Sequence, residues 1–349
     1  MLPMKLASAR PSAESPASKP PPRSMRIFVS TSRIAPALGA LLCAAAFASG
    51  ALARAPQLEG SGALPKGSSS QPERPAPRAH AAIIGGAAAQ AGSFPSLAYV
   101  IDIKGAYAYQ CSGTVVAPSL VLTAGHCAEN TKTGARFKPS GYRVVTGAID
   151  PLAPGATVSR VLGVIVYPGF ARKLDEGDAA LLVLANPVAA PPIALATASQ
   201  MKRLKAGLEA TMAGWGLTSF TQRLPTETLQ SADTVVQGRR WCALNAPPFS
   251  AKGEICGIAP PSYATGACSG DSGGPLLAQL PGGSPIQIGI AVHVYGQCST
   301  RRPSVFVKVS AIAAWIHTWI VAYRSSPASP NPVPAPLPPP APTSPVPLS

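Results

Sequence analysis

Gly270-Asp271-Ser272-Gly273-Gly274-Pro275 places one serine among glycines, with an acid directly before it. A serine hydroxyl is an effective nucleophile only when a base takes its proton and donors stabilise the oxyanion that forms. The glycines leave backbone N–H groups uncovered, so those of Gly270 and Ser272 can point into one small hole. Taken alone, the run is also compatible with a glycine-rich turn. Its specific pattern favours a nucleophile, Ser272, beside an oxyanion hole.

Two further stretches supply the partners that such a serine needs. Thr123-Ala124-Gly125-His126-Cys127 lies upstream, and Gly177-Asp178-Ala179-Ala180-Leu181-Leu182 lies between the two. Together, the three stretches resemble those of the chymotrypsin/trypsin-like serine proteases, and the order His, Asp, Ser separates them from subtilisins and α/β-hydrolases. The resemblance covers about residues 83–324. It implies an all-β fold of two antiparallel β-barrels, an active site in the cleft between them, a C-terminal helix and no cofactor.

The resemblance also implies a role for each member of this set. Ser272 is the nucleophile, His126 is the general base and then the general acid, and Asp178 holds the histidine tautomer and stabilises the imidazolium. Asp175 and Glu176 are alternative acids close by. The apolar run that follows Asp178 favours this residue, because it places the carboxylate at the mouth of a strand.

Two residues of a later strand depart from the family pattern. Family members usually carry a serine that hydrogen-bonds the buried aspartate, and here that position is Val292, which has no donor. His293 follows where an aromatic residue is usual, and it is an alternative source of the missing contact. Gly125 replaces a usual alanine. These departures keep open a second function, a catalytically weak or silent protease homologue that acts as a binding protein.

The stretch Ile83-Ile84-Gly85-Gly86 resembles the mature N-terminus of the family. The resemblance implies a zymogen, in which cleavage before Ile83 frees an ammonium that folds inward and pairs with Asp271. A buried pair of this kind is costly to break, by about 3–5 kcal/mol. The alternative role for Asp271 is to cap its own turn.

The walls of the specificity pocket are also assigned from the resemblance. Gly266 takes the floor position, where an acid would select Lys or Arg. In the family, a glycine that leaves the pocket open usually takes the position of Val294. A glycine also often takes the third position, which here is Ser304. A neutral pocket narrowed by valine predicts cleavage after small or medium apolar residues, with modest discrimination.

Seven cysteines are present, and Cys43 lies in an apolar N-terminal run. The other six allow fifteen pairings, and the resemblance implies three bridges. These are Cys111–Cys127, Cys242–Cys256 and Cys268–Cys298. None of the six has the C-x-x-C spacing of a zinc site, and the loop from Thr146 to Val161 offers a calcium ion only Asp150. The sequence therefore predicts no metal and an oxidising compartment.

The net charge of +15 does not indicate nucleic-acid binding. Residues 1–82 carry ten Lys or Arg against three Asp or Glu, so almost half of the excess lies in a region expected to be removed. No basic helix or stripe interleaved with aromatic residues occurs elsewhere. A hydrophobic content of 46% supports a substantial core, and 32 glycines and 41 prolines favour turns over long helices.

Composition divides the chain into four parts. Residues 1–53 form a signal region, in which translation starts at Met1 or Met25 and an A-x-A site closes an apolar run. Cys43 is an incidental apolar residue or, alternatively, a lipid anchor. Residues 54–82 are a propeptide, 83–324 the serine protease domain, and 325–349 a disordered tail with eleven prolines and no charge. The tail is a spacer or, alternatively, a docking ligand, which would suit an adhesion or scaffold protein.

Short apolar runs separated by turn residues predict strands at Gly113–Leu122, Tyr142–Gly147, Val158–Val166, Ala180–Leu184 and Ile286–Val294. A 3.6-residue stripe predicts a helix over Val309–Tyr323, with His317 on its surface. The expected product is a secreted monomer, extracellular or periplasmic, without a stable membrane span. Its expected partners are protein or peptide substrates and protein protease inhibitors.

Overall fold

The computed structural model describes residues 4–5, 83–105, 107–171, 176–219, 221, 226–280 and 283–324. The propeptide, the tail, all of the signal region except Met4 and Lys5, and the alternative acid Asp175 lie outside the described residues. The described elements belong to one unit, Met1–Ala7 with Pro77–Ser349. A second unit, Ser8–Ala76, lies outside the described residues.

The first half of the described chain forms a closed six-stranded antiparallel barrel in the order β4-β3-β6-β7-β8-β5, which the β4–β5 pairing closes. Its strands are β3 (Leu97–Lys104), β4 (Tyr107–Ala117), β5 (Leu120–Thr123), β6 (Tyr142–Thr146), β7 (Thr157–Val166) and β8 (Ala180–Leu184). A two-residue strand, β1 (Met4–Lys5), pairs with β4. β5 and β8 are buried along their whole length, as their continuous apolar sequences require.

The second half forms another closed six-stranded barrel in the order β10-β13-β14-β15-β12-β11, which the β10–β11 pairing closes. Its strands are β10 (Glu209–Gly214), β11 (Gln230–Val236), β12 (Glu254–Ile258), β13 (Pro275–Ala278), β14 (Ile286–His293) and β15 (Ser304–Lys308). Two short strands extend this sheet: β2 (Ala87–Ala88) pairs with β11, and β9 (Ala194–Leu195) runs parallel to β14. The predicted fold class, two antiparallel barrels, is confirmed.

Five helices of the described residues accompany the barrels. They are the 3-10 helices at Gly125–Cys127 and Pro139–Gly141, and α1 (Ala198–Arg203), α2 (Arg239–Asn245) and α3 (Val309–Arg324). In chain order, the two 3-10 helices lie in the first barrel, α1 lies between the two barrels, α2 lies in the second, and α3 ends the domain. The predicted C-terminal helix is confirmed as α3, where Ile312, Ile316 and Trp319 are buried and His317 is exposed. No helix in the described part of the chain is long and apolar enough to cross a bilayer.

One strand prediction is wrong. Gly113–Leu122 is not a single strand, because the chain turns at Pro118 and Ser119 and β5 folds back on β4, with Thr114 opposite Leu122. Proline has a fixed φ and no N–H to give to a ladder, which favours a turn at this point. Hydrophobicity alone could not reveal the turn, since both arms are buried.

Three disulfides join Cys111 to Cys127, Cys242 to Cys256 and Cys268 to Cys298. These are the pairs that the resemblance implies. The first ties β4 to the 3-10 helix that carries His126. The third ties the turn before Ser272 to the segment after β14. Two of the bridges therefore fix the chain close to the candidate site.

Candidate active site

Strand pairing brings His126 and Asp178 together across 52 residues of sequence. β5 runs antiparallel to β8, with Thr123 opposite Ala180, so the end of β5 meets the beginning of β8. The 3-10 helix that follows β5 carries His126, and Asp178 lies two residues before β8. The strand-mouth position predicted for this aspartate is therefore where the structure places it.

Asp178 holds His126 at two points. Its Oδ1 accepts the His126 backbone N–H at 2.7 Å, and its Oδ2 lies 2.6 Å from His126 Nδ1. The Asp178 side chain is fully buried, so water does not compete for these bonds. When Nδ1 carries the proton toward Asp178, the neutral ring keeps its lone pair on Nε2, which is the arrangement that a general base needs.

Ser272 lies in a turn of the second barrel that rests on the first. The Ser112 N–H on β4 donates to the Ser272 carbonyl at 2.8 Å, and the Gly273 N–H donates to Ala291 O at 2.7 Å. Gly273 has φ +85°, and a Cβ there would overlap Thr123 Oγ1 and the Ser112 carbonyl. A side chain at Gly273 would thus push the serine turn away from the barrel that carries His126.

Two backbone donors beside Ser272 are uncommitted. The N–H groups of Asp271, Gly273 and Gly274 each donate to a carbonyl of the chain. Among the described residues, no hydrogen bond to a protein acceptor uses the N–H of Gly270 or Ser272. Gly270 adopts φ +100°, a conformation that glycine reaches without strain. The two candidate oxyanion-hole donors are therefore available to a ligand.

His126 and Ser272 line the same cleft, whose volume is about 840 Å³. Its wall on the second barrel includes Val292, His293 and Val294. Its opposite side consists mainly of polar and aromatic residues of the first barrel, including Lys104, Tyr109, Asn130, Lys132 and Phe137. Lys104 bonds Asp102 at 2.9 Å and lies over the Phe137 ring, so its charge is already compensated. The cleft is large enough for several residues of an extended peptide.

Asp271 is buried in a cradle of backbone. Its Oδ1 accepts the Gly216 N–H at 2.8 Å, and its Oδ2 accepts the Cys268 N–H at 2.9 Å. A Cβ on Gly214 or Gly216 would collide with the carboxylate, so both glycines are required for its close fit. Burial raises the Asp271 pKa to about 7, and the two backbone hydrogen bonds offset only part of this effect.

The segment before β2 is docked beside this cradle. Ile83 is fully buried and packs in the same apolar cluster as Ala267. Ile84 exchanges two backbone hydrogen bonds with Gly266, at 3.0 and 3.1 Å. Gly85 has φ +68° and lies directly against the Ala264 carbonyl, where no side chain would fit. The isoleucines are therefore anchored to the stretch that leads to Asp271.

The three predicted pocket residues have different relations to the cleft. Val294 is part of its lining, together with Ala267. Ser304 is buried and accepts the Ala267 N–H on Oγ at 3.1 Å, so it supports that wall. Gly266 pairs with Ile84, and neither Gly266 nor Ser304 is among the residues that line the cleft.

Val292 occupies a bulge in β14. Opposite β15, the pairing passes from Ala291 directly to His293, which leaves Val292 as the extra residue. It is 9% exposed, and its side chain has no hydrogen-bond donor. The His293 ring packs edge-on against Tyr295 with centroids 4.5 Å apart, and Arg302 lies over the Tyr295 ring.

Glu176, considered from sequence as an alternative acid, has a different position. Its Oε1 accepts the Ser250 hydroxyl at 2.7 Å, and Ser250 Oγ in turn accepts the Gly253 N–H at 3.2 Å. This bond joins the loop that leads to Asp178 on the first barrel with the α2–β12 loop of the second. Sequence reasoning missed Ser250, because it lies 74 residues from Glu176 and belongs to no motif.

One group of potential metal ligands lies at the site. Cys111, Cys127 and His126 bring their ligand atoms within 4.8 Å of one another. Both sulfurs belong to one disulfide, so neither is the thiolate that a metal ion requires. With its two cysteines joined in a disulfide, this set of three residues does not fit a metal ion.

Comparisons with known proteins identify the family of the chain. The family model described as Trypsin matches residues 83–316. Trypsin alpha-4 of Lucilia cuprina is 29% identical over 259 residues, which cover 73% of this chain and 92% of the relative. A trypsin-like protease of Streptomyces glaucescens is 30% identical over 272 residues, 76% and 92% of the two chains. A solved structure described as "Structure of GrC" aligns with TM-score 0.59 and 27% identity, covering 68% of this chain and all of that one.

Proposed function

The chain belongs to the trypsin family and is a serine endopeptidase, and from this premise we propose that Ser272, His126 and Asp178 carry its catalysis. The observation that carries the proposal is the double bond of Asp178 to His126, in the cleft that Ser272 also lines. A carboxylate that holds both the backbone and the ring of one histidine fixes the direction of that ring. The other ring nitrogen, Nε2, is then the group that we expect to take the serine proton.

In the proposed reaction, His126 Nε2 takes the hydroxyl proton as Ser272 Oγ attacks the scissile carbonyl carbon. The carbonyl oxygen becomes an oxyanion, and the uncommitted N–H groups of Gly270 and Ser272 donate to it. His126 then gives its proton to the leaving amine, and an acyl-enzyme remains on Ser272. Water, deprotonated by the same histidine, hydrolyses this ester. Asp178 stabilises the imidazolium in both halves of the cycle.

A fluorophosphonate probe tests the nucleophile. The chain, cleaved before Ile83, should react covalently through one serine. Ser272→Ala should abolish labelling and amidase activity, whereas Ser269→Ala, which changes a neighbouring serine of the same cleft, should leave labelling in place. Undiminished amidase activity in Ser272→Ala would refute the assignment.

The second proposal is that the protease is made as a zymogen and activated by cleavage of the Ala82–Ile83 bond. The buried Ile83, the Ile84–Gly266 hydrogen bonds and the high pKa of Asp271 support it. A buried carboxylate with only backbone donors gains the most from a cation. The ammonium that cleavage would create at Ile83 is such a cation, and its pairing with Asp271 would order the serine turn.

The proposed specificity is for small or medium apolar residues before the scissile bond. Val294 narrows the cleft, and Gly266 contributes no carboxylate that would attract Lys or Arg. Chromogenic peptides that end in Ala, Val, Phe or Arg test this directly. We expect the highest kcat/KM on Ala or Val, and a Val294→Gly variant should shift the preference toward Phe. Best turnover on Arg would overturn this pocket assignment.

This preference leads to a proposal of self-activation. The residues before the cleavage point are Arg78-Ala79-His80-Ala81-Ala82, which end in alanine. An enzyme that prefers alanine is able to cut its own activation bond. Purified wild type and Ser272→Ala, incubated alone and sequenced at the N-terminus, test this. Maturation at Ile83 in wild type only would support self-activation, whereas equal rates in both proteins would refute it.

A second candidate function is that of a weak or silent homologue that binds proteins. Val292 favours it, since no hydroxyl there supports Asp178. Probe labelling with burst kinetics separates the two candidates, because a silent homologue would not be acylated. The remaining proposals are secretion, a monomeric state, the domain limits 83–324, and protein inhibitors that occupy the cleft.

A further inference from the structure

Helix α2 presents two large apolar side chains away from the core. Cys242 and Ala246 are buried, whereas Trp241 is 36% and Leu244 is 74% exposed. Residues three apart on a helix are neighbours, so Trp241 and Leu244 lie on adjoining parts of its outer surface. Isolated exposed apolar residues are common in proteins and indicate no ligand alone. Their surroundings give this pair its significance.

Six exposed cations lie on the segments around this pair, which we call the basic face. Its members are Lys202, Arg203, Lys205, Arg239, Arg240 and Lys252. Contacts of the described chain bring these segments together. The Gly207 N–H donates to Val236 O at 2.9 Å, and a Cβ on Gly238 would lie 3.7 Å from the Ala206 Cβ. The turn that follows α1, which includes Lys205, therefore adjoins the beginning of α2.

Lys308 connects the third segment to this face. Its Nζ donates to Ala251 O at 2.6 Å, directly beside Lys252. Burial lowers the pKa of Lys308, and the nearby positive charge of Arg239 lowers it further. Arg239 and Lys308 are thus close enough to interact electrostatically, and the α2–β12 loop belongs to the same positive region.

Acidic residues cancel only part of this charge, since the negative charge of Glu254 works against the lowering of the Lys308 pKa. Glu254 is buried and its Oε2 accepts the Ser250 N–H at 2.7 Å, and Glu176 pairs with Ser250. Glu209 and Asp233 are the exposed acids on the adjoining strands β10 and β11. The six exposed cations therefore outnumber the two exposed acids.

We propose that the basic face, with Trp241 and Leu244, binds the surface of an anionic phospholipid bilayer. Lipid phosphates would contact the arginines and lysines, while the indole and the leucine enter the interfacial layer. A soluble polyanion would use the cations but would leave the two apolar side chains in water, so the combination favours a lipid surface. None of these residues lines the cleft, so the inference does not rest on the proposed catalytic residues.

The test uses the full chain with Ser272→Ala, which prevents self-digestion, and two kinds of vesicle. One contains phosphatidylcholine alone, and the other equal parts of phosphatidylcholine and phosphatidylglycerol. We expect stronger binding to the anionic vesicles that weakens as salt is added. Lys205→Gln/Arg239→Gln/Arg240→Gln should reduce the partition coefficient about 100-fold, at roughly fivefold per cation. The charge-matched control Arg136→Gln/Lys138→Gln/Arg160→Gln on the first barrel should change it far less.

Tryptophan fluorescence measures the insertion of Trp241 into the bilayer separately from binding. Brominated lipids should quench part of the tryptophan fluorescence, and Trp241→Phe should remove that part. The N-terminal apolar run contains no tryptophan, so any binding by that run does not mimic this signal. Leu244→Gln should weaken binding even at high salt, unlike Leu152→Gln, which changes an equally exposed leucine elsewhere. Absence of Trp241 quenching, equal effects of the two charge triples, or binding to heparin without binding to vesicles would each overturn the proposal.

Discussion

Each barrel contributes one buried aspartate to the site, and the two carboxylates differ in their hydrogen-bond partners. Asp178 contacts both the backbone and the ring of His126. Asp271 receives only two backbone N–H groups, and among described residues the structure gives it no ion pair. The first carboxylate therefore has its working partner in place. Asp271 is already buried in the uncut chain, before its proposed partner, the Ile83 ammonium, has been created. Burial therefore raises its pKa to about 7.

Burial alone does not define the role of a carboxylate. Desolvation disfavours the charged form of any carboxylate, and only an adjacent donor or cation compensates for it. Asp178 contacts the backbone N–H and the ring of His126 in the uncut chain. Asp271 has only two backbone donors among the described residues. The ammonium that the proposed cleavage creates at Ile83 therefore has a large electrostatic effect on this carboxylate.

Asp178→Asn should lower kcat about 10⁴-fold in the cleaved enzyme, as the equivalent change does in well-studied serine proteases. The amide keeps the shape of the carboxylate but favours the wrong histidine tautomer and no longer stabilises the imidazolium. Turnover of a peptide amide measures the loss, with Asp150→Asn as a control acid outside the cleft. A loss of less than tenfold would mean that another residue supplies the negative charge.

Asp271→Asn should have different effects before and after cleavage. In the cleaved form it removes the proposed ion pair with Ile83, so activity should fall by about 10²- to 5 × 10³-fold, corresponding to about 3–5 kcal/mol. In the uncut form the same change should raise stability at pH 8 relative to pH 4, because the amide does not ionise. Its NH2 cannot accept one of the two backbone N–H groups, and that loss is the same at both pH values. Asp233→Asn, at an exposed aspartate of the same barrel, is the matched control.

The raised pKa of Asp271 determines how the stability of the uncut chain changes with pH. The folded-state pKa of Asp271, about 7, lies above the reference value of 3.8, so the folded chain binds this proton more tightly than the unfolded chain. The resulting stability is fully present below pH 4 and is lost as the pH rises through 7. Urea unfolding of Ser272→Ala at pH 4 and pH 8, with and without Asp271→Asn, measures this. A stabilising effect that is equal at both pH values would contradict the linkage.

Glu176→Ala should test whether the bond between barrels positions Asp178. Loss of the Ser250 hydrogen bond should lower kcat by up to about tenfold through misplacement of the loop, with little change in KM. Glu176→Gln keeps an acceptor oxygen and should restore most of the activity, whereas Glu227→Ala serves as the control. If Gln and Ala behave alike, the charge matters and the hydrogen bond does not.

Val292→Ser should have the smallest effect. It adds the hydroxyl that family members usually place beside the buried aspartate, and an additional hydrogen bond to a charged group contributes about 1.5–3 kcal/mol when its geometry is good. We expect a rise in kcat of a few fold and a shift of the acid limb of the pH–rate profile. Val305→Ser, at another buried valine of the adjoining strand, controls for the loss of apolar packing. A fall in kcat as large as that of the control would show that Val292 acts only through packing.

Much of the fold could be predicted because it depends on local pattern. The apolar runs gave β6, β7, β8 and β14 to within a residue or two, and the 3.6-residue stripe gave α3. The β4–β5 hairpin was missed because both of its strands are buried, so no change in hydrophobicity marks the turn. The two-barrel fold followed from the resemblance of three short motifs.

The residues able to perform the chemistry were recognisable from the amino-acid sequence alone. A serine among glycines, a histidine in Thr123–Cys127 and an aspartate before a strand are identifiable because the reaction needs those groups, whatever surrounds them. The contacts that support these residues became visible with the three-dimensional fold. The Glu176–Ser250 bond, the glycine cradle of Asp271 and the union of α1 and α2 in one basic face each join residues far apart in sequence. Contacts of this kind arise from strand pairing and barrel closure, which no local pattern encodes.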